Sequence, residues 1–125
     1  MRLLLDTHVF VWWAAKDRRL RDEARAAIAA PDSDVAVSAA SAWEIAIKRT
    51  AGKLKAPRDI EAQIARHRLS ALPISVAHAL RAGELPLHHR DPFDRMLVAQ
   101  AQLEGLTIVT RDPNIALYGV ATLPA

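Results

Sequence analysis

Two hydrophobic patterns alternate along the chain: short unbroken apolar runs, and longer stretches where apolar residues recur every three or four positions. Leu3-Leu4-Leu5 is apolar without a break and ends at Asp6, which predicts a buried strand at the start. Thr7 to Ala15, carrying Val9, Phe10, Val11, Trp12 and Trp13, predicts a helix that Asp6 is placed to cap. Asp17 to Arg21 reads as a polar turn, and Leu20 to Ala30 as an alanine-rich helix stopped by Pro31. Val35-Ala36-Val37 predicts a second strand. Ser38 is placed to cap the next helix, on which Ala40, Trp43 and Ile47 share one face, and Gly52 ends it. Ile60 to Arg68 predicts a helix, Leu72-Pro73-Ile74 an edge strand, and Val76 to Glu84 a further helix. Asp91-Pro92 opens a helix to Glu104, with proline in the first turn where its missing donor costs nothing, and Gly105 closes it. Leu106 to Val109 is the last clear strand, after which Asp112-Pro113 turns the chain into a final short segment.

Strands alternating with helices predict an α/β fold, a parallel sheet of four or five short strands with helices on both faces. Ligands of such sheets bind outside the carboxyl ends of the strands, in the crevice where strand order reverses. No repeat, low-complexity tract or linker interrupts the pattern, so one domain over residues 1–125 is expected.

Composition narrows the class. Hydrophobic residues make up 51% and charged residues 25%, a soluble globular balance. No apolar run approaches the roughly 20 residues of a membrane span, and Met1-Arg2-Leu3-Leu4-Leu5-Asp6 turns acidic too early for a signal peptide. No membrane association is expected. The absence of cysteine excludes disulfides, thiolate zinc sites and a cysteine nucleophile, and fits a reducing cytoplasm, the expected location.

The carboxylates carry the candidate chemistry. Asp6 follows the first strand directly, and Asp112 follows the last clear one after Thr110-Arg111. Asp94 lies in the first turn of the helix opened by Pro92, and Glu44 near the start of the helix capped by Ser38. In a parallel sheet these four places share one rim. Each acid also has a purely structural reading: Asp6 as a helix cap, Asp94 as a first-turn acid favoured by the helix dipole, Asp112 as a turn former, Glu44 as the partner of Lys48 four residues on. Together they point further, because converging carboxylates do not all stay ionised without a counterion. Oxygen-only ligands suit Mg²⁺ or Mn²⁺, ions that acidify a bound water and neutralise a phosphodiester under attack.

Net charge is +3, yet with four of the 14 acids set aside in a pocket, 17 bases face 10 acids. Lys48, Arg49, Lys53, Lys55 and Arg58 form a run with no acid among them. A basic exterior around an acidic pocket suits a polyanion held by its phosphates. A solvated helix end and loop is the structural alternative.

At these residues the chain resembles PIN-domain toxins of the VapC type. The resemblance lies in Leu4-Leu5-Asp6-Thr7-His8, in Ser38 to Lys48 around Trp43-Glu44-Ile45, in His89 to Ala101 around Asp91-Pro92-Phe93-Asp94-Arg95, and in Thr110-Arg111-Asp112. The blocks stand in the family's order and span nearly the whole chain. The resemblance implies a PIN fold, Mg²⁺- or Mn²⁺-dependent endoribonuclease activity through metal-activated water, a homodimer, and inhibition by a VapB-type antitoxin. It also implies that Asp6, Glu44, Asp94 and Asp112 form the metal site. Asp91 is a candidate to support a ligand or simply to cap its helix, Thr110 to hold a metal-bound water, and Thr7 to orient Asp6. Candidates for RNA phosphate contacts are Lys48, Lys53, Lys55, Arg95 and Arg111. Against these, Lys48 is also a partner for Glu44, and Arg95 a tie to a neighbouring helix.

Adjacent histidines rarely chelate one ion, so His88-His89 reads as a polar loop. His8 reads as a packing or ligand-supporting residue, and Trp12-Trp13 as core or dimer interface rather than a base-stacking platform. Rival functions are an aspartate-based phosphohydrolase, which commonly has a second acid where His8 stands, and a receiver-like phosphoacceptor domain. The receiver reading wants a late lysine, and none follows Lys55. A catalytically inactive RNA- or partner-binding module is the non-enzymatic alternative.

Overall fold

The computed structural model describes residues Met1–Ala125. The element order is β1 (Arg2–Leu5), α1 (Thr7–Ala15), α2 (Asp22–Ala29), β2 (Asp34–Ser38), α3 (Ala39–Thr50), α4 (Ile60–Arg66), β3 (Ser70–Leu72), α5 (Val76–Glu84), α6 (Pro92–Glu104), β4 (Thr107–Thr110), α7 (Pro113–Ala116) and β5 (Thr122–Pro124). The strands form one sheet in the order β3-β2-β1-β4-β5, and every neighbouring pair is parallel. The chain thus moves outward from β1 to β3, then crosses back to build β4 and β5 on the other side. The reversal places the crevice at the carboxyl ends of β1 and β4.

The unbroken Leu3-Leu4-Leu5 run follows from helices covering both faces of the sheet. Leu3 and Leu5 pack with Val9, Phe10, Leu20, Ile28, Val35 and Val37 on one side. Leu4 packs with Leu97, Val98, Ile108 and Ile115 on the other. Each such leucine, fully buried, stabilises the fold by roughly 1.5–3 kcal/mol, so β1 is the rigid centre on which Asp6 is mounted.

Four helices begin at the carboxyl rim with side-chain caps. Asp6 accepts the Val9 N–H, Ser38 the Ala40 N–H, Asp112 the Asn114 N–H, and Asp91 both the Phe93 and Asp94 N–H groups. Such caps typically contribute about 1 kcal/mol each. Gly105 closes α6 at φ +67°, a left-handed conformation that glycine adopts without steric cost.

The structure departs from the pattern reading in three places. The edge strand lies at Ser70–Leu72 rather than Leu72–Ile74, because Pro73 has no N–H to give the ladder. A fifth strand, Thr122–Pro124, joins β4 at the opposite edge, where Pro124 is tolerated. On α3 the buried face is Ala40, Ser41, Glu44 and Ile45, while Trp43 is 61% exposed and Ile47 is exposed as well. That helix is turned to bring a carboxylate inward, where the Thr7 hydroxyl and the Lys48 ammonium receive it. No helix is long and apolar enough to cross a membrane.

Candidate metal centre

A cleft of about 410 Å³ opens at the carboxyl rim between β1 and β4. Asp6, Glu44, Asp91, Asp94 and Asp112 line it together with Thr7, His8, Trp12, Lys48 and Arg111. A larger, mostly apolar groove of about 850 Å³ lies elsewhere, between α3, α4 and β3, and contains none of the four candidate acids. The four candidate acids gather in the smaller cleft.

Each acid is held by a different local device. Asp6 stands one residue past β1; its Oδ1 accepts the Val9 N–H at 2.9 Å and its Oδ2 the Thr110 hydroxyl at 2.6 Å. Thr110 also accepts the Asp112 N–H at 3.0 Å, so one hydroxyl ties the two strand-end acids together. Glu44 is only 4% exposed; Thr7 donates to its Oε1 at 2.5 Å, and the Lys48 ammonium pairs with its Oε2 at 2.5 Å. Asp94 points from the first turn of α6 toward His89, whose Nε2 lies 3.0 Å from Asp94 Oδ2 and 2.7 Å from Asp112 Oδ2.

Crowding shows in the acidities. Burial, reinforced by the charges of Asp91, Asp6 and Glu44, pushes Asp94 from the ordinary 3.8 to about 7, against the opposing influence of His89. Burial also raises the Asp6 carboxyl, opposed by the hydrogen bonds from Thr110 and Val9. Lys48 is held more firmly protonated by its bond to Glu44, with help from Asp91 and Asp94. Carboxylates that burial and mutual repulsion make reluctant to ionise form a site that a cation would relieve. The donors they offer are oxygens, the set that suits a hard divalent ion.

Several expected roles land differently. Thr7 orients Glu44, not Asp6, and meets Ser41 Oγ at 3.1 Å; Thr110 is the residue that orients Asp6. Asp91 caps α6 and also borders the cleft. Arg95, a candidate for a phosphate contact, donates to the carbonyls of Ala82, Leu85 and Pro86 and straps the α5–α6 connection. Arg111 borders the cleft, but its guanidinium donates to the carbonyls of Ala125 and Arg19 and lies 4.5 Å from the centre of the Trp12 ring. Lys53 and Lys55 are exposed on the loop after α3 and do not line the cleft. Trp12 is buried under Arg111, and Trp13 packs edge-on to His67. His8 is exposed at the cleft rim, 6.1 Å from Trp12.

The residue that pattern reading passed over is His89. It lies in the polar loop before α6, as its sequence suggests, and there stands between Asp94 and Asp112. A signal existed: it lies two residues before the Asp91 cap, and such a residue sits at the mouth of the helix that presents Asp94.

A sequence model of the PIN domain matches residues 3–121. Ribonuclease VapC22 of Mycobacterium tuberculosis is 33% identical over 117 residues, covering 90% of this chain and 88% of that protein. Among solved structures, VapBC2 from Rickettsia felis bound to a DNA fragment from their promoter superposes with a TM-score of 0.67 at 18% identity, over 99% of this chain and 98% of that one. DNA-bound VapBC from Salmonella typhimurium gives 0.66 at 20% identity, again over 99% and 98%. At these identities the structural likeness concerns the fold.

Proposed function

The chain belongs to the PIN domain family, and from that premise we propose that it is a divalent-metal-dependent endoribonuclease acting in the cytoplasm as the toxin of a VapBC-type pair. Its nearest partners in this reading are an RNA substrate, a VapB-type antitoxin and a second copy of the chain. The name of the Mycobacterium tuberculosis relative supports ribonuclease activity, and the solved VapBC complexes support an antitoxin partner. The observation that carries the reading is the cleft itself: acids from four distant segments converge there, and one of them is pushed to about 7 by burial and its acidic neighbours.

In this reading Asp6, Glu44, Asp94 and Asp112 hold Mg²⁺ or Mn²⁺. When bound, such a cation supplies an acidified water and neutralises charge on a phosphodiester. The protein's own work is to keep the carboxylates aimed. Thr110 fixes Asp6, Thr7 fixes Glu44, and the cap at Asp91 fixes the turn that carries Asp94. Lys48 is the cation closest to the acids, half-exposed at the cleft and suited to meet a phosphate entering it. Lys53 and Lys55 supply positive charge farther along the strand's path, where phosphate contacts position RNA without reading its bases. Arg111 borders the same opening, but its guanidinium, like that of Arg95, is bonded to main-chain carbonyls and serves the fold.

The test is incubation with total RNA and Mg²⁺, with and without EDTA, followed by mapping of fragment ends. Hydrolysis by water leaves 5′-phosphate and 3′-hydroxyl ends, and EDTA abolishes it. Cleavage that persists in EDTA, or fragments ending in 2′,3′-cyclic phosphate, would contradict the proposal.

A further inference from the structure

His89 Nε2 and carboxylate oxygens of Asp94 and Asp112 lie within 4.8 Å of one another, an arrangement that at first sight resembles a His-Asp-Asp metal trio. The other ring nitrogen argues otherwise. His89 Nδ1 accepts the Asp91 N–H at 3.2 Å, so Nδ1 is bare and, in the neutral ring, the proton sits on Nε2. A nitrogen that carries a proton cannot ligate a metal. It donates instead to Asp112 Oδ2 at 2.7 Å, while Asp94 Oδ2 lies 3.0 Å from the same nitrogen, at ion-pair distance.

The ring is also pinned from behind. The His89 N–H donates to the Tyr118 hydroxyl at 2.9 Å, and that hydroxyl donates to the Pro86 carbonyl at 2.8 Å. Arg95 reaches the same Pro86 carbonyl at 3.0 Å. The loop before α6 is thereby fixed to Tyr118 in the turn after α7 and to Arg95 of α6, and the imidazole is held between two acids that arrive on separate elements.

Resting on the metal-centre reading above, we propose that His89 is a positioning residue: it holds Asp112 through Nε2–H, keeps Asp94 beside it by the electrostatic contact at the same nitrogen, and does not itself bind the ion. Hydrogen bonds that orient metal ligands commonly change affinity by about 10- to 100-fold when removed. Leucine at this position fills the space without a donor, while glutamine places an N–H near the position of Nε2.

The experiment is Mn²⁺ binding by calorimetry, with electron spin-echo spectroscopy of the bound ion, on wild type, His89→Leu and His89→Gln. The melting temperature of each metal-free protein is the control for folding. The expected result is roughly 10- to 100-fold weaker Mn²⁺ binding in His89→Leu, recovery to within a few-fold of wild type in His89→Gln, and no hyperfine coupling from a coordinated imidazole nitrogen in wild type. Equal affinity in a folded His89→Leu overturns the clamp while leaving the metal centre standing. Imidazole coupling in wild type overturns it in favour of a ligand. If His89→Leu fails to fold, His89→Gln decides alone: affinity reduced as much as about 100-fold, with the donor restored, overturns it. Wild-type protein that binds no Mn²⁺ overturns the clamp and the metal centre together.

Discussion

Replacing Asp94 by asparagine removes a carboxyl that the fold makes reluctant to ionise, and without metal that change stabilises the protein in a pH-dependent way. The carboxyl moves from 3.8 in an ordinary setting to about 7 in the fold, and the side chain is only 21% exposed, so solvent screens it weakly. Below about pH 4 both folded and unfolded chains hold this proton, and it contributes no difference. As pH rises toward 7 the unfolded chain releases the proton first, so stability is lost across that window and levels off above it. The full cost is on the order of 4 kcal/mol, of which about 2.5 kcal/mol falls between about pH 5 and about pH 8. Asparagine has no such proton. At about 3–5 °C per kcal/mol for a chain of this length, the melting-temperature advantage of Asp94→Asn over wild type should grow by roughly 10 °C between those two pH values. Differential scanning calorimetry in EDTA measures it, since the other titrating groups are shared by both proteins. An advantage that is equal at the two pH values, or a mutant less stable than wild type at the higher one, would refute the reasoning.

The remaining predictions follow from single contacts. Thr7→Val strips the hydroxyl from buried Glu44; Mn²⁺ affinity should fall about 10-fold or more, with a stability loss on the order of 1–3 kcal/mol from the underpartnered carboxylate, checked by calorimetry and thermal melting. Neutralising Lys53 and Lys55 together, in an inactive Asp6→Asn background, should lower the slope of log affinity against log salt by about 1.4 for single-stranded RNA; cleavage sites in the active protein should stay unchanged. Equal slopes would mean that these lysines face solvent or a protein partner. Arg95→Lys should lower the melting temperature, because one ammonium does not replace a planar fork serving the carbonyls of Ala82, Leu85 and Pro86. An unchanged melting curve would count against the strap.

Much of the fold was legible because its strands are short, apolar and bounded by capping residues. Leu3-Leu4-Leu5 announced a strand buried on both faces, and Asp6, Ser38 and Asp91 announced the helices that follow. The rim position of the four acids followed from strand ends and helix starts. What remained hidden was side-chain direction. The apolar spacing of Ala40, Trp43 and Ile47 suggested a buried face on α3, but Glu44, held by Thr7 and Lys48, turns the helix away from that alignment. Neighbourhood in sequence likewise suggested Arg95 as a phosphate ligand, whereas its guanidinium reaches back to α5 carbonyls. His89 was passed over because its partners, Asp94 and Asp112, meet only when α6 and β4 are packed. The strand Thr122–Pro124 carries too short a pattern to signal itself and forms because β4 offers an open edge.

The most direct measurement is anomalous diffraction at the manganese edge from crystals soaked in Mn²⁺. Occupied density should lie in the cleft at the carboxyl ends of β1 and β4, bound by carboxylate oxygens drawn from Asp6, Glu44, Asp94 and Asp112, and should vanish in Asp6→Asn. Crystals at saturating Mn²⁺ with no anomalous peak among these four acids, or with the peak unchanged in Asp6→Asn, would contradict a metal centre built from them.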